Sequence, residues 1–171
     1  MPSYCVASAW RRAVDPAWLR PFADDRGMAV VADACPAPGT TINGAQAGIE
    51  ATVGYYSTHH LKLLSTGEGG FLTTDDNNFA ASARAYRGHW LTPPAGQQPL
   101  TRLAHNFRLA EALAAIGRRE LAWVKALIQQ RIEQTALLLE LLADVPQLRP
   151  VDKPAGQQWN AYTPLHSACG R

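Results

Sequence analysis

The chain has 171 residues, 47% hydrophobic and 18% charged, enough apolar material for the core of one ordinary globular domain, so disorder is not the expectation. Its formal net charge is +2, and its basic residues are scattered apart from Arg118-Arg119, which gives no support to nucleic-acid binding. The three cysteines, Cys5, Cys35 and Cys169, are odd in number and share no CxxC spacing, which disfavours a disulfide framework or a zinc ribbon and fits a reducing cytosol.

At the start of the chain, Met1 to Ala9 lacks the apolar segment of a signal peptide, and Tyr4 to Ala7 reads as a weak strand. Asp15-Pro16 supplies an N-cap and a first-turn proline for a helix ending near Gly27. Met28 to Ala32 and Val53 to Thr58 are short continuous apolar runs of the kind covered on both faces of a sheet, and Gly70 to Thr74 is a third strand candidate. Asp75 to Asn78 offers caps for a helix from Phe79 to Tyr86 that stops at Gly88. The alternation predicts an α/β architecture with helices on a largely parallel sheet.

A Pro/Gly/Gln linker at Gly96 to Gln98 follows Pro93-Pro94. From about Arg108, Leu113, Ile116, Leu121, Val124, Ile128, Ile132, Leu137 and Leu141 recur at the spacing of one amphipathic helix or a helix pair. Gly117 marks either a bend or a small-residue packing contact. Val145-Pro146, Pro150 and Pro154 close this region, and Gln157 to Arg171 reads as a polar stub without strong pattern. No apolar run approaches the ~20 residues needed to span a bilayer, so a soluble cytoplasmic protein is expected.

The chemistry centres on Ser57-Thr58-His59-His60-Leu61-Lys62-Leu63-Leu64-Ser65-Thr66-Gly67-Glu68-Gly69-Gly70, which sets one lysine between an apolar strand and a glycine-rich turn. Asp33 closes the strand before it, at the end where an open α/β sheet forms its ligand crevice. A lysine amine, a strand-end carboxylate and a strand-end hydroxyl (Lys62, Asp33 and Ser57) are the groups that pyridoxal-phosphate (PLP) chemistry requires. Taken singly each has a plainer explanation: turn caps for Asp33 and Ser57, and a solvated surface charge for Lys62. The glycine run matches neither a P-loop nor a dinucleotide fingerprint. No metal site is expected, because the adjacent His59 and His60 point in different directions and no further ligand cluster is spaced to join them.

A family resemblance in order and spacing shifts the balance between these readings. Ala32-Asp33-Ala34, Ser57 to Lys62, Thr66-Gly67-Glu68-Gly69-Gly70 and Asn106-Phe107-Arg108 occur in the same sequence as the motifs of the DegT/DnrJ/EryC1/StrS family of PLP-dependent sugar aminotransferases, which the chain resembles from about Val6 to Leu148. The resemblance implies Lys62 as Schiff-base lysine and proton shuttle, Asp33 as partner of the pyridinium nitrogen, and Ser57 as a phosphate ligand. Asn106 is implied to reach the phosphate of a neighbouring subunit. This sequence departs from the family at Pro36, where Gln or His is usual, at Ala32, where Glu is usual, and at Thr58 and His60, where Phe and Pro are usual.

The fold implied is a fragment of the fold type I PLP-transferase large domain, with a mostly parallel sheet and flanking helices, plus a long helix leading to an incomplete small domain. Residues 1–100 would be the partial PLP-binding domain, 101–148 the linking helical segment, and 149–171 the truncated start of the small domain. The family's first strands and most of its small domain have no counterpart here, so exposed apolar surface and association are expected. The implied reaction moves an amino group from glutamate or glutamine to a nucleotide-linked keto sugar, in a homodimer or in association with a homologue, with no nucleic-acid or membrane partner. Two alternatives stay open: a non-catalytic chain that packs against a full-length homologue, and a plain structural domain in which Lys62 is a surface charge.

Overall fold

The computed structural model describes residues 3–7, 13, 15–151, 154–161 and 165–167. The main sheet takes the order β1-β2-β5-β6, from β1 (Ser3–Ala7), β2 (Ala29–Asp33), β5 (Val53–Ser57) and β6 (Gly70–Thr73). The first three strands are parallel and β6 returns antiparallel along β5. In register, Asp33 faces Tyr55 and Ser57 faces Gly70, so the carboxyl ends of β2 and β5 share one edge.

Local signals account for these elements. Asp15 caps a 3-10 turn (Pro16–Trp18) by accepting from the Ala17 amide at 2.8 Å, and α1 (Arg20–Asp25) follows. Gly27, at φ +59°, then reverses the chain into β2, a conformation glycine adopts without a Cβ penalty. On β2, Val30 and Ala32 alternate inward and pack with Ala23 of α1 and Ala51, flanked by Leu19 and Met28. Val30 is completely buried, which for a side chain of this size contributes about 2 kcal/mol. A second cluster joins Ala34, Ala37, Ile42, Ala47 and Tyr56 beneath the loop that leaves β2. That loop carries a short hairpin, β3 (Thr41–Ile42) with β4 (Ala45–Gln46).

Helix α2 (Asn77–Tyr86) begins where Asp76 Oδ1 accepts from the amides of Asn78 and Phe79. The long apolar periodicity resolves into one helix, α3 (Glu111–Leu141). Gly117 lies inside it without ending it, and a Cβ there would sit 3.0 Å from Thr66 Cγ2, so the packing reading of this glycine holds. Ile128 is the buried residue of α3 and abuts Gly39, while Ile116, Leu121, Trp123, Leu137 and Leu141 remain exposed. No described helix is long and apolar enough to cross a membrane.

The segment after α3 is more structured than its sequence indicates. Strands β7 (Leu148–Pro150) and β9 (Leu165–Ser167) pair, and β8 (Gln157–Gln158) adds antiparallel to β3. Asn160, fully buried, donates through Nδ2 to the carbonyls of Pro36 and Pro38, both at 3.0 Å, and its amide donates to Thr40 Oγ1. The polar residues of the supposed stub therefore pair with the backbone of the loop that follows Asp33, a partnership made across about 120 residues of chain.

Candidate functional site

Asp33 ends β2, half-buried, and its Oδ1 accepts from the Cys35 amide at 3.0 Å. This Asx-type bond fixes the carboxylate at the strand end and turns the chain into the Ala34–Gly39 loop. The Cys35 thiol beside it is pushed from its ordinary 9.0 up to about 12, chiefly by burial and then by the hydrogen bond and charge of Asp33. Lys62 acts on the same thiol in the opposite direction. Asp33 ends β2 and Lys62 follows the end of the adjacent parallel strand β5, so both lie past the same edge of the sheet although 29 positions separate them in the sequence.

Lys62 rides a loop whose base is closed by hydrogen bonds. Thr58 N donates to Gly69 O and Thr66 N to Thr58 O, both at 2.9 Å, and the buried hydroxyls of Thr58 and Thr66 lie 2.7 Å apart. Thr66 Oγ1 also donates to Glu68 O at 2.8 Å. Gly69, at φ +133°, leaves no room for a side chain against Leu109 and Thr58, which accounts for a glycine at the return into β6. The Lys62 amide donates to His59 O at 2.8 Å, a tight turn that sets Lys62 half-buried against a cavity of about 500 Å³. Leu127, Arg131 and Gln134 of α3, with Ala161, form the cavity's other wall. A larger cavity of about 690 Å³, lined by Arg20, Asp24, Glu50 and Asp75, contains none of these groups.

Ser57, at the carboxyl end of β5, accepts from the His59 amide at 3.2 Å. Asn106 is exposed, accepts from the Arg108 amide and guanidinium, and forms an isolated bridge with Gly88. Asp33 and Ser57 thus end neighbouring strands on one edge of the sheet, the loop carrying Lys62 leaves from that edge, and Asn106 lies on a separate loop beside the end of α2.

One premise from the sequence does not survive. His59 and His60 do not diverge: their ring centroids are 3.9 Å apart, and Glu68 Oε1 lies 3.8 Å from His59 Nε2. Strand alternation does not apply to them, because the chain is already turning at His59 to place Lys62. Sequence reasoning also missed Cys35 as the half-buried thiol beside Asp33, and Asn160 as the anchor of the Asp33 loop. Neither position carries a spacing or periodicity signal.

Comparison with known proteins places this arrangement. The sugar aminotransferase CalS13 from Micromonospora echinospora is 27% identical, with a TM-score of 0.78 over 95% of this chain and 47% of that one. DesI, determined in the presence of its TDP-sugar product, is 28% identical, with a TM-score of 0.83 over 95% of this chain and 41% of that one. A DegT DnrJ EryC1 StrS aminotransferase from Brucella abortus, at 22% identity, has the same fold, with a TM-score of 0.83 over 95% of this chain and 43% of that one. The chain therefore spans less than half the length of these relatives, and its sheet and helices are part of their fold type I architecture. With residues 9–169 matching the family model, the chain belongs to the DegT/DnrJ/EryC1/StrS aminotransferase family.

Proposed function

We propose that the chain is the cofactor-carrying part of a PLP-dependent aminotransferase that aminates a nucleotide-linked keto sugar with nitrogen from glutamate or glutamine, in the cytoplasm. The observation that carries this reading is that the strand ending in Asp33 and the strand leading to the Lys62 loop are parallel neighbours, with their carboxyl ends on one edge of the sheet. The residues present fit the cofactor: an amine bordering a cavity, a carboxylate fixed by a backbone amide, and a hydroxyl at the neighbouring strand end.

When bound, PLP supplies an aldehyde and a ring that accepts electrons from the substrate carbon. Lys62 Nζ would be the amine that holds the aldehyde and, when free, the group that carries a proton there. The Asp33 carboxylate, its orientation held by the Cys35 amide, would be the partner of the ring nitrogen and would favour its protonated form. Ser57 Oγ would donate to a phosphate oxygen, and Asn106 would serve the phosphate held by a neighbouring subunit. Residues 1–100 serve as cofactor domain, 101–148 as the helical link and 149–171 as the start of a small domain.

The test is to add PLP to the purified chain, reduce with borohydride, and locate the modified lysine by peptide mass analysis, with Lys62→Ala as control. Selective labelling of Lys62, absent from the variant, is expected. Labelling spread over both lysines of the central region, Lys62 and Lys125, and unchanged by the substitution, overturns the reading.

A second reading is favoured by the exposed Leu121, Trp123, Leu137 and Leu141 along α3: association with a longer homologue, without catalysis by this chain. Co-purification with such a homologue, with no Lys62 labelling in either the free or associated chain, would select it.

A further inference from the structure

Outside the Asp33–Lys62 group, one other set of ligating side chains converges. His59 and His60 stand at the first turn of the Lys62 loop, and Glu68 returns beside them from the other limb, which an isolated parallel bridge between His59 and Gly67 holds in place. One ligand atom from each of His59, His60 and Glu68 lies within 4.8 Å of the other two, the one such group of three among the described residues. Donors on a tetrahedral zinc, with bonds of about 2.0–2.2 Å, sit roughly 3.4 Å apart. His59 Nε2 and Glu68 Oε1, at 3.8 Å, are nearly there already.

The remaining closure falls on side chains able to move. His59 and Glu68 side chains are 36% and 78% exposed, whereas the backbone limbs that carry them are pinned by Thr58 and Thr66. His59 Nδ1 accepts from the Leu61 amide at 3.3 Å, which places the proton of the neutral ring on Nε2. A metal at Nε2 moves that proton to Nδ1, and the amide of Leu61, a residue 68% exposed, then bonds water instead. Two imidazoles and one carboxylate match zinc, cobalt, nickel or copper rather than magnesium or calcium, which take oxygen ligands.

We propose that His59, His60 and Glu68 form a three-ligand site for a divalent transition metal, with water completing the coordination, on the loop that carries Lys62. The metal ties residues 59–60 to residue 68 and so cross-links the two limbs of that loop. The site is independent of the aminotransferase reading, because none of its three side chains is assigned to the cofactor.

The test is titration of the full 171-residue chain with Co²⁺, followed by its visible absorption and by paramagnetic broadening of the histidine ring resonances. Saturation at one Co²⁺ per chain, with His59 and His60 signals broadened, is expected. Loss of a direct ligand costs at least what loss of an outer-shell partner does, so His60→Ala and Glu68→Gln should each weaken binding by roughly tenfold or more. His89→Asn, away from the loop, should leave it unchanged. Glu68→Gln changes an exposed side chain and circular dichroism will report any loss of fold, while the broadening in the unsubstituted chain needs no variant. No saturable binding, an affinity in Glu68→Gln or His60→Ala equal to that of the unsubstituted chain, or a thiolate-to-cobalt charge-transfer band would overturn the proposal.

Discussion

Thr58 and Thr66 meet through their hydroxyls, 2.7 Å apart and both buried, at the neck of the loop that presents Lys62. The contact does for this loop what a strand ladder does for a hairpin, and it also positions Thr66 Cγ2 against Gly117 of α3. Replacing Thr66 with valine keeps the shape but removes the bonds to Thr58 and to the Glu68 carbonyl. Thr66→Val should destabilise the chain by about 1–2 kcal/mol, read from urea denaturation, because buried groups lose partners they cannot replace with water. An unchanged midpoint would mean that the loop is held by its backbone bonds alone.

Cys35 should resist alkylation at neutral pH, since its thiol keeps its proton up to about 12. Burial is the main cause and the Asp33 carboxylate the next, so Asp33→Asn lowers the thiol toward its ordinary range without restoring it fully. Iodoacetamide labelling at about pH 9, scored on the Cys35 peptide, should therefore be faster in Asp33→Asn than in the parent. Equal rates would show that Asp33 does not govern this thiol.

The same shift gives stability a pH dependence of definite sign. The unfolded thiol ionises near 9.0, but the folded thiol holds its proton to about 12, so the folded state binds more protons in between. Its contribution is complete below pH 9 and is lost as pH rises from 9 toward 12. Tyr56, also raised by burial, acts in the same direction above 10. Cys35→Ala should reduce the stability lost between about pH 8 and about pH 10.5, measured by urea unfolding at both.

Asn160 holds two carbonyls, those of Pro36 and Pro38, that no other described hydrogen bond reaches. Asn160→Ala should cost about 2–3 kcal/mol, and amide exchange should quicken at Ala37 and Thr40 ahead of the strands. Uniform exchange across loop and sheet would place the damage in global unfolding instead.

Gly54 lies in β5 with a Cβ position only 2.6 Å from Gly48 O, a backbone atom that cannot swing aside. Gly54→Ala should destabilise by roughly 1–3 kcal/mol as an overpacked interior position. A gain in stability, as expected from alanine's lower unfolded-state entropy, would contradict the close approach.

The candidate site is legible in the sequence as a set of motifs. Asp33 and Lys62 each follow an apolar strand, and the order of their motifs is a local, one-dimensional property. The capped helix starts at Asp15 and Asp76 were equally visible, because an N-cap bonds amides only two or three residues away. The direction of β6 was not, since an apolar run reads the same in a parallel or an antiparallel ladder.

By itself, then, the sequence determined the alternation of strands and helices and the order of the family motifs, which also single out the candidate lysine and carboxylate, all encoded in neighbours a few residues apart. Only the tertiary structure decided that the strands ending in Asp33 and Ser57 lie side by side, that Gly117 seats α3 on Thr66, that Asn160 closes the Asp33 loop, and that His59, His60 and Glu68 converge. Buried polar bonds and glycine contacts between distant segments leave no periodicity in the chain, because each is satisfied by a partner whose position depends on the whole fold.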